Sequence, residues 1–240
     1  MEMENKMTGK LYGIGVGPGD PELLTLKAMR LILACDAVAV PGVPKEETAA
    51  YQIVRQAVPE VADKECLAVD MPMTKDPEQL EKGHRQAFTI LKEALDQGKN
   101  VAFLTLGDPC IYSTYIYMHR MAIEAGYQTE IISGIPSFCA VSARLNEGLA
   151  EKSQMLHIIP STYGVEDGLQ LPGTHILMKA GKKLHKVKEH LQKEISKGRK
   201  LQIAMIENCG MPEQCIYQSL EEMPEQAGYY TTVIVKEQSE

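Results

Sequence analysis

Short apolar runs alternate with longer stretches of helical periodicity through the first 132 residues of this 240-residue chain, and that alternation leaves few folds open. Strands are expected over 11–15, 37–40, 65–69, 101–104 and 128–132, and helices over 23–34, 46–57, 77–97 and 112–125. Within 77–97, Leu80, Ala87, Ile90, Leu91, Ala94 and Leu95 recur at roughly helical spacing, so one face is buried. Gly98 and Gly126 stand where those helices should stop. Strand–helix–strand repetition implies a mostly parallel sheet.

The second half changes character after Ser133-Gly134-Ile135-Pro136-Ser137, which reads as a hinge before a helix over 137–145. Further strands are expected over 155–159, 174–179, 201–207, 214–218 and 229–235, with one highly charged helix over 183–197. Residues 161–173 read as a loop or short helix, and no internal repeat or low-complexity tract occurs. The expected fold class is therefore α/β, with a domain over 1–133 carrying a mostly parallel sheet and a domain over 134–240 carrying a mixed one.

The stretch Leu106-Gly107-Asp108-Pro109-Cys110-Ile111-Tyr112-Ser113-Thr114 follows a strand and precedes a helix. Open α/β sheets bind ligands at such turns, beyond the carboxyl ends of their strands. Gly107 lets a ligand approach the backbone, Pro109 stiffens the turn, and Ser113 and Thr114 offer hydroxyls near a helix start. The plain alternative is an ordinary strand–helix turn with a capping hydroxyl, in which Asp108 only shapes the turn.

Composition and motif spacing exclude several functions. The polar, acidic opening over 1–10 is no secretory signal, and no apolar run is long enough to span a bilayer, so a cytoplasmic protein without membrane partners is expected. Six cysteines are scattered without a Cys-x-x-Cys pair and read as reduced thiols. A net charge of −7 argues against nucleic acid as partner. The histidines form no spaced cluster, and no protein-held metal is expected. From Gly13, the third glycine of a dinucleotide fingerprint falls on Pro18, and Asp36 precedes the second strand instead of ending it. There is no P-loop, and Ser113 and Ser137 lack a nucleophile elbow.

The segment from Gly13 to Ala28, with Gly15, Gly17, Pro18, Gly19 and Asp20, joins the Gly-Asp-Pro-x-x-Tyr-Ser-Thr turn in a pattern that resembles the tetrapyrrole methylase family. The resemblance runs from about Leu11 to Val235. Tyr112 to Tyr117, Met71 to Asp76 and Ile158 to Thr162 resemble the branch that methylates C20 of precorrin-2 or its cobalt form. It implies two α/β domains with S-adenosylmethionine folded in a cleft between them, the tetrapyrrole in a trough alongside, and a homodimer. Cofactor contacts implied by motif are Pro18, Gly107, Asp108, Ile111, Ser113, Thr114, Ser137, Phe138, Met178, Ala204, Met205 and Thr232, with Thr231 as a variant of the last. Substrate contacts implied are Gly17, Pro18, Gly19, Asp20, Pro41, Tyr112 and Arg144. Asp108 is the expected polar catalytic group, orienting substrate or accepting a proton. Methionines at strand ends can equally serve the core.

An acidic chain taking a substrate with many carboxylates needs a local basic rim, for which Arg144, Lys152, Lys179, Lys182 and Lys183 are candidates. The family hinge often has Pro where this chain has Ser133. Methylation at C2 and C7, C11 or C17, methylation of protein or RNA on the same fold, and a non-catalytic tetrapyrrole carrier are the alternatives.

Overall fold

A sheet whose strands are apolar on both faces needs cover on both sides, and the first half of the chain supplies it. The structure, a computed structural model, describes residues 8–237 apart from Val43, Met73 and Lys75. The polar opening over 1–7, and Met73 and Lys75 of the Met71–Asp76 segment, lie outside the described residues. The chain divides into two compact units, one ending at Pro136 and the other beginning at Ser137.

The first unit contains β1 (Lys10–Gly15), α1 (Leu26–Ala34), β2 (Ala37–Pro41), α2 (Ala49–Ala57), β3 (Glu65–Val69), α3 (Pro77–Asp96), β4 (Val101–Thr105), α4 (Tyr115–Glu124) and β5 (Gln128–Ile132). The strands run in the order β3-β2-β4-β1-β5, and every pairing is parallel. Alternate side chains enter opposite cores. Ile14, Val38, Val40, Ala102 and Leu104 meet Ile32 of α1 and Ile53 and Val54 of α2. Leu11, Val101 and Phe103 meet Leu91 and Leu95 of α3 and Tyr115 and Met118 of α4. Gly13 is required here, because a Cβ on it would overlap the Tyr115 ring. Burial pushes the Tyr115 hydroxyl well above its ordinary range, and His119 Nδ1 stands 3.3 Å from it.

Local caps move several helix starts. The helix expected over 23–34 begins at Leu26, because Thr25 Oγ1 accepts from the Ala28 N–H at 3.2 Å. Pro21–Leu23 forms a separate 3-10 turn. The helix expected over 46–57 begins at Ala49, behind a 3-10 turn at Lys45–Glu47. The helix expected over 112–125 begins at Tyr115, since Tyr112 has φ 49° and Ser113 Oγ accepts from the Tyr115 N–H at 3.1 Å.

The second unit contains α5 (Ser137–Leu145), β6 (Leu156–Pro160), β7 (Thr174–Met178), α6 (Leu184–Ser196), β8 (Leu201–Glu207), β9 (Cys215–Tyr217) and β10 (Thr231–Glu237). Its order is β6-β7-β10-β8-β9, with only β6–β7 parallel. The last strand starts two residues later than expected and leaves Tyr229 and Tyr230 exposed ahead of it. Residues 161–173 hold two 3-10 turns, Ser161–Tyr163 and Gly168–Gln170. Leu177, Ile203, Met205, Val233 and Val235 pack beneath Leu184, Val187 and Leu191 of α6. Thr232 alternates with Val233 and so faces away from α6, toward Ser137 at the start of α5. Glu194, buried in α6, is held by Lys197 at 2.6 Å and Arg199 at 3.2 Å, which keep its carboxyl down at about 2. Among the described residues no helix is long and apolar enough to cross a membrane.

Candidate active site

The carboxyl ends of β2, β4, β1 and β5 stand side by side, so the segments leaving them meet. The Val16 N–H donates to the Thr105 carbonyl at 2.9 Å, and the Gly107 N–H to the Gly17 carbonyl at 2.8 Å. Gly17 and Gly107 thus form an antiparallel bridge between the glycine-rich turn after β1 and the Gly-Asp-Pro turn after β4. Asp108 ties in a third segment. Its Oδ1 accepts from the Cys110 N–H at 2.7 Å and its Oδ2 from the Gly134 N–H at 3.0 Å. Where the three backbones cross, a Cβ on Gly15 or Gly134 would overlap the others' main chain.

Gly107 differs from these two. It has φ 72°, and the space its missing side chain would enter is open, with only the Ile135 carbonyl 3.9 Å away. The backbone is therefore bare at the strand end where a ligand would be expected. This fits a cofactor held mainly by close approach to main chain, as the resemblance implies for S-adenosylmethionine. Thr105 Oγ1 and Ser113 Oγ stand 3.0 Å apart and brace the two ends of the turn. Ile111 is half-buried, Thr114 exposed, and Tyr112 exposed on its left-handed backbone. The Cys110 thiol is pushed up by burial and then by the Asp108 carboxylate.

Of the expected substrate residues in this unit, Pro18 and Gly19 are buried just beyond the bridge, and Asp20 accepts from the Glu22 N–H at 2.9 Å. Pro41 ends β2, the neighbour of β4. In the second unit, Ser137 Oγ and Thr232 Oγ1 stand 3.5 Å apart, and Met178 is the register partner of Thr232. Phe138 is buried, and Ala204, half-buried, pairs with Ile234.

Two further expected residues are placed apart from these. Met205 lies fully buried in the core beneath α6, where its side chain packs the sheet. Arg144 lies two helical turns, roughly 10 Å, from Ser137. It neighbours Glu147, which holds Lys236 at 2.5 Å and Gln202 at 2.8 Å at the far end of the sheet. The expected basic rim accordingly divides. Lys152 precedes β6 at Arg144's end, whereas Lys179, Lys182 and Lys183 follow β7 at Thr232's end. Asp108 takes a holding role, with both oxygens on backbone N–H groups. Gly15, Thr105 and Gly134 were not expected as site residues. Gly134 reads as hinge in the sequence, and only the placement of β1 between β4 and β5 makes it a packing contact. Among the described residues no group of three or more His, Cys, Asp and Glu side chains could hold a metal ion.

Residues 10–224 match the model of the Tetrapyrrole (Corrin/Porphyrin) Methylases. The chain belongs to that family. It is 38% identical over 176 residues to a probable cobalt-precorrin-2 C(20)-methyltransferase of Methanocaldococcus jannaschii, spanning 73% of this chain and 74% of the relative. It is 30% identical over 241 residues to the cobalt-precorrin-2 C(20)-methyltransferase of Salmonella typhimurium, spanning 98% and 99%. The fold matches uroporphyrin-III C-methyl transferase from Thermus thermophilus complexed with S-adenyl homocysteine, with a TM-score of 0.69 at 20% identity over 95% of this chain and 97% of that one. Membership in the methylase family and the α/β class are both as the motifs led one to expect.

Proposed function

We propose that this methylase transfers a methyl group from S-adenosylmethionine to C20 of precorrin-2 or cobalt-precorrin-2 in cobalamin biosynthesis. The observation that carries the reading is the identity, 38% and 30%, to two relatives named for that position. The bare backbone at Gly107 supports it, at the end of the sheet where the chemistry needs close approach.

S-adenosylmethionine, when bound, supplies a methyl group already activated by a sulfonium, so the protein's share is alignment more than strong base. The backbone crossing at Gly15, Gly107 and Gly134 gives the turn one shape before any ligand arrives. Asp108 is a positioning residue: its two oxygens hold the Cys110 and Gly134 N–H groups and so hold Gly107 in place. Gly107, Ile111, Ser113 and Thr114 are assigned to the cofactor in the first unit, with Gly17, Pro18, Gly19, Asp20, Pro41 and Tyr112 flanking the electron-rich ring system whose C20 carbon attacks. Over 134–240, taken as the second domain, Ser137, Phe138, Met178, Ala204 and Thr232 are assigned to the cofactor. We take the working form to be a homodimer, as the family resemblance implies, and its place to be the cytoplasm, as the composition led one to expect; sedimentation should report twice the chain mass.

Titration calorimetry with S-adenosylmethionine and S-adenosylhomocysteine tests the cofactor directly. Saturable binding of both, and none of a nicotinamide dinucleotide, is expected. A chain that bound a tetrapyrrole and neither sulfur compound would be a carrier.

A further inference from the structure

Thr105 is the one polar residue in a strand that is otherwise apolar. β4 reads Val-Ala-Phe-Leu-Thr, and every residue in it is buried. Valine has nearly the same shape and would fill this place without carrying a hydroxyl into the core, where an unpaired one is costly. Alternation along β4 turns the Thr105 side chain to the face of Val101 and Phe103, which α3 and α4 cover. Its carbonyl accepts from the Val16 N–H at 2.9 Å, and Gly15 of β1 is its register partner. The sheet therefore fixes this residue before the Gly-Asp-Pro turn begins.

Among the described residues the Thr105 hydroxyl has one partner. Its Oγ1 stands 3.0 Å from Ser113 Oγ, and distance alone leaves either free to donate. Ser113 Oγ also accepts from the Tyr115 N–H at 3.1 Å, at the first residue of α4. Counting protons decides the direction. Thr105 is 3% exposed, so if Ser113 donated to it, the Thr105 proton would be buried without an acceptor. With Thr105 donating, its O–H and the Tyr115 N–H both end on the lone pairs of Ser113 Oγ. Ser113 is half-buried, and its own proton is the one left over.

That proton sits at a useful place. Ser113 closes the turn whose backbone is bare at Gly107. The Thr105–Ser113 bond spans the two ends of the turn, while Asp108 holds its middle. A serine hydroxyl can usually rotate and can give or take a hydrogen bond. Here its lone pairs are occupied from inside the protein, so toward a ligand it can only give.

We infer that Thr105 is a positioning residue for cofactor binding: by donating to Ser113, it makes the Ser113 hydroxyl a fixed donor to an acceptor atom of the bound S-adenosyl compound. The role rests on reading the turn as the cofactor site. Thr105 itself is buried and acts through Ser113.

Titration calorimetry with S-adenosylhomocysteine, on wild type and four variants whose folding is checked by circular dichroism, tests the role. Thr105→Val keeps the shape, removes the donor and should bind about tenfold more weakly than wild type. Thr105→Ser restores the donor and should bind within about twofold of wild type. Ser113→Ala should also lose about tenfold. T105V/S113A should bind no more weakly than S113A, because the threonine acts through the serine; a general loosening of the turn would instead add to the loss. Wild-type affinity in T105V or S113A, affinity in T105S as weak as in T105V, or further weakening by T105V in the S113A background would overturn the role and leave the cofactor turn standing. No binding by folded wild type would overturn the cofactor reading, and the role of Thr105 with it.

Discussion

Gly107 has room for a side chain and no backbone conformation that welcomes one, so a β-branched substitution there tests the turn without crowding the core. Gly107→Val should cost about 1–3 kcal/mol of stability through strain at positive φ. It should also weaken S-adenosylhomocysteine at least about tenfold, while circular dichroism stays native. Gly134→Ala fails differently. Its methyl meets the Gly107 carbonyl and the Gly15 backbone, so an unfolding midpoint in urea should fall by an amount worth about 1–3 kcal/mol. For Asp108→Asn, one of two backbone donors loses its acceptor, at about 1–3 kcal/mol. A positioning role predicts a lower kcat with an unchanged pH profile; loss of the acidic limb would instead make Asp108 a proton acceptor. Gly-Asp-Pro was legible as a ligand turn because its residues are local. The bond from Gly134 to Asp108 spans 26 residues and depends on sheet order, which no local pattern carries.

Strands and helices were largely legible because periodicity and caps are local properties, as with Asp76 accepting from Glu78 N–H ahead of Pro77 at the start of α3. Periodicity failed at Tyr112, where an apolar residue in helical phase sits on left-handed backbone. Tyr112→Gly should therefore relieve backbone strain of about 1 kcal/mol, and raise KM if the ring serves the substrate. Strand phase explains Met205: the sequence places it on β8 but does not say which face the helix covers. The same unit holds His157 and His175, register partners on β6 and β7 with stacked rings 5.2 Å apart. His175 is fully buried; burial, then His157 and Arg199, lower its pKa, against an opposing pull from the Leu171 backbone and Glu237. A depressed histidine contributes stability while neutral, present above the ordinary value near 6.5 and lost as pH falls through the folded value. Melting temperature should thus drop on acidification from about pH 7 to about pH 5, and His175→Leu should flatten the drop. The comparison must be with wild type, since burial lowers His84 and His119 in the first unit as well. Parallel slopes in both proteins would remove His175 as a source.

At the scale of the whole molecule, an acidic chain meets an acidic substrate, and the fold decides which cations can help. Composition shows the conflict and cannot resolve it, because Arg144 and Lys182 look alike in sequence and stand at opposite ends of the second sheet. The α/β class followed from alternation along the chain, whereas the pairing of Gly17 with Gly107 exists only once strands are ordered. The most direct measurement is anaerobic incubation with methyl-labelled S-adenosylmethionine and precorrin-2, with and without cobalt, followed by mass spectrometry and carbon NMR. One labelled methyl per tetrapyrrole, located at C20, is the predicted result. A label at another carbon, or no transfer to either substrate, would contradict C20 methylation.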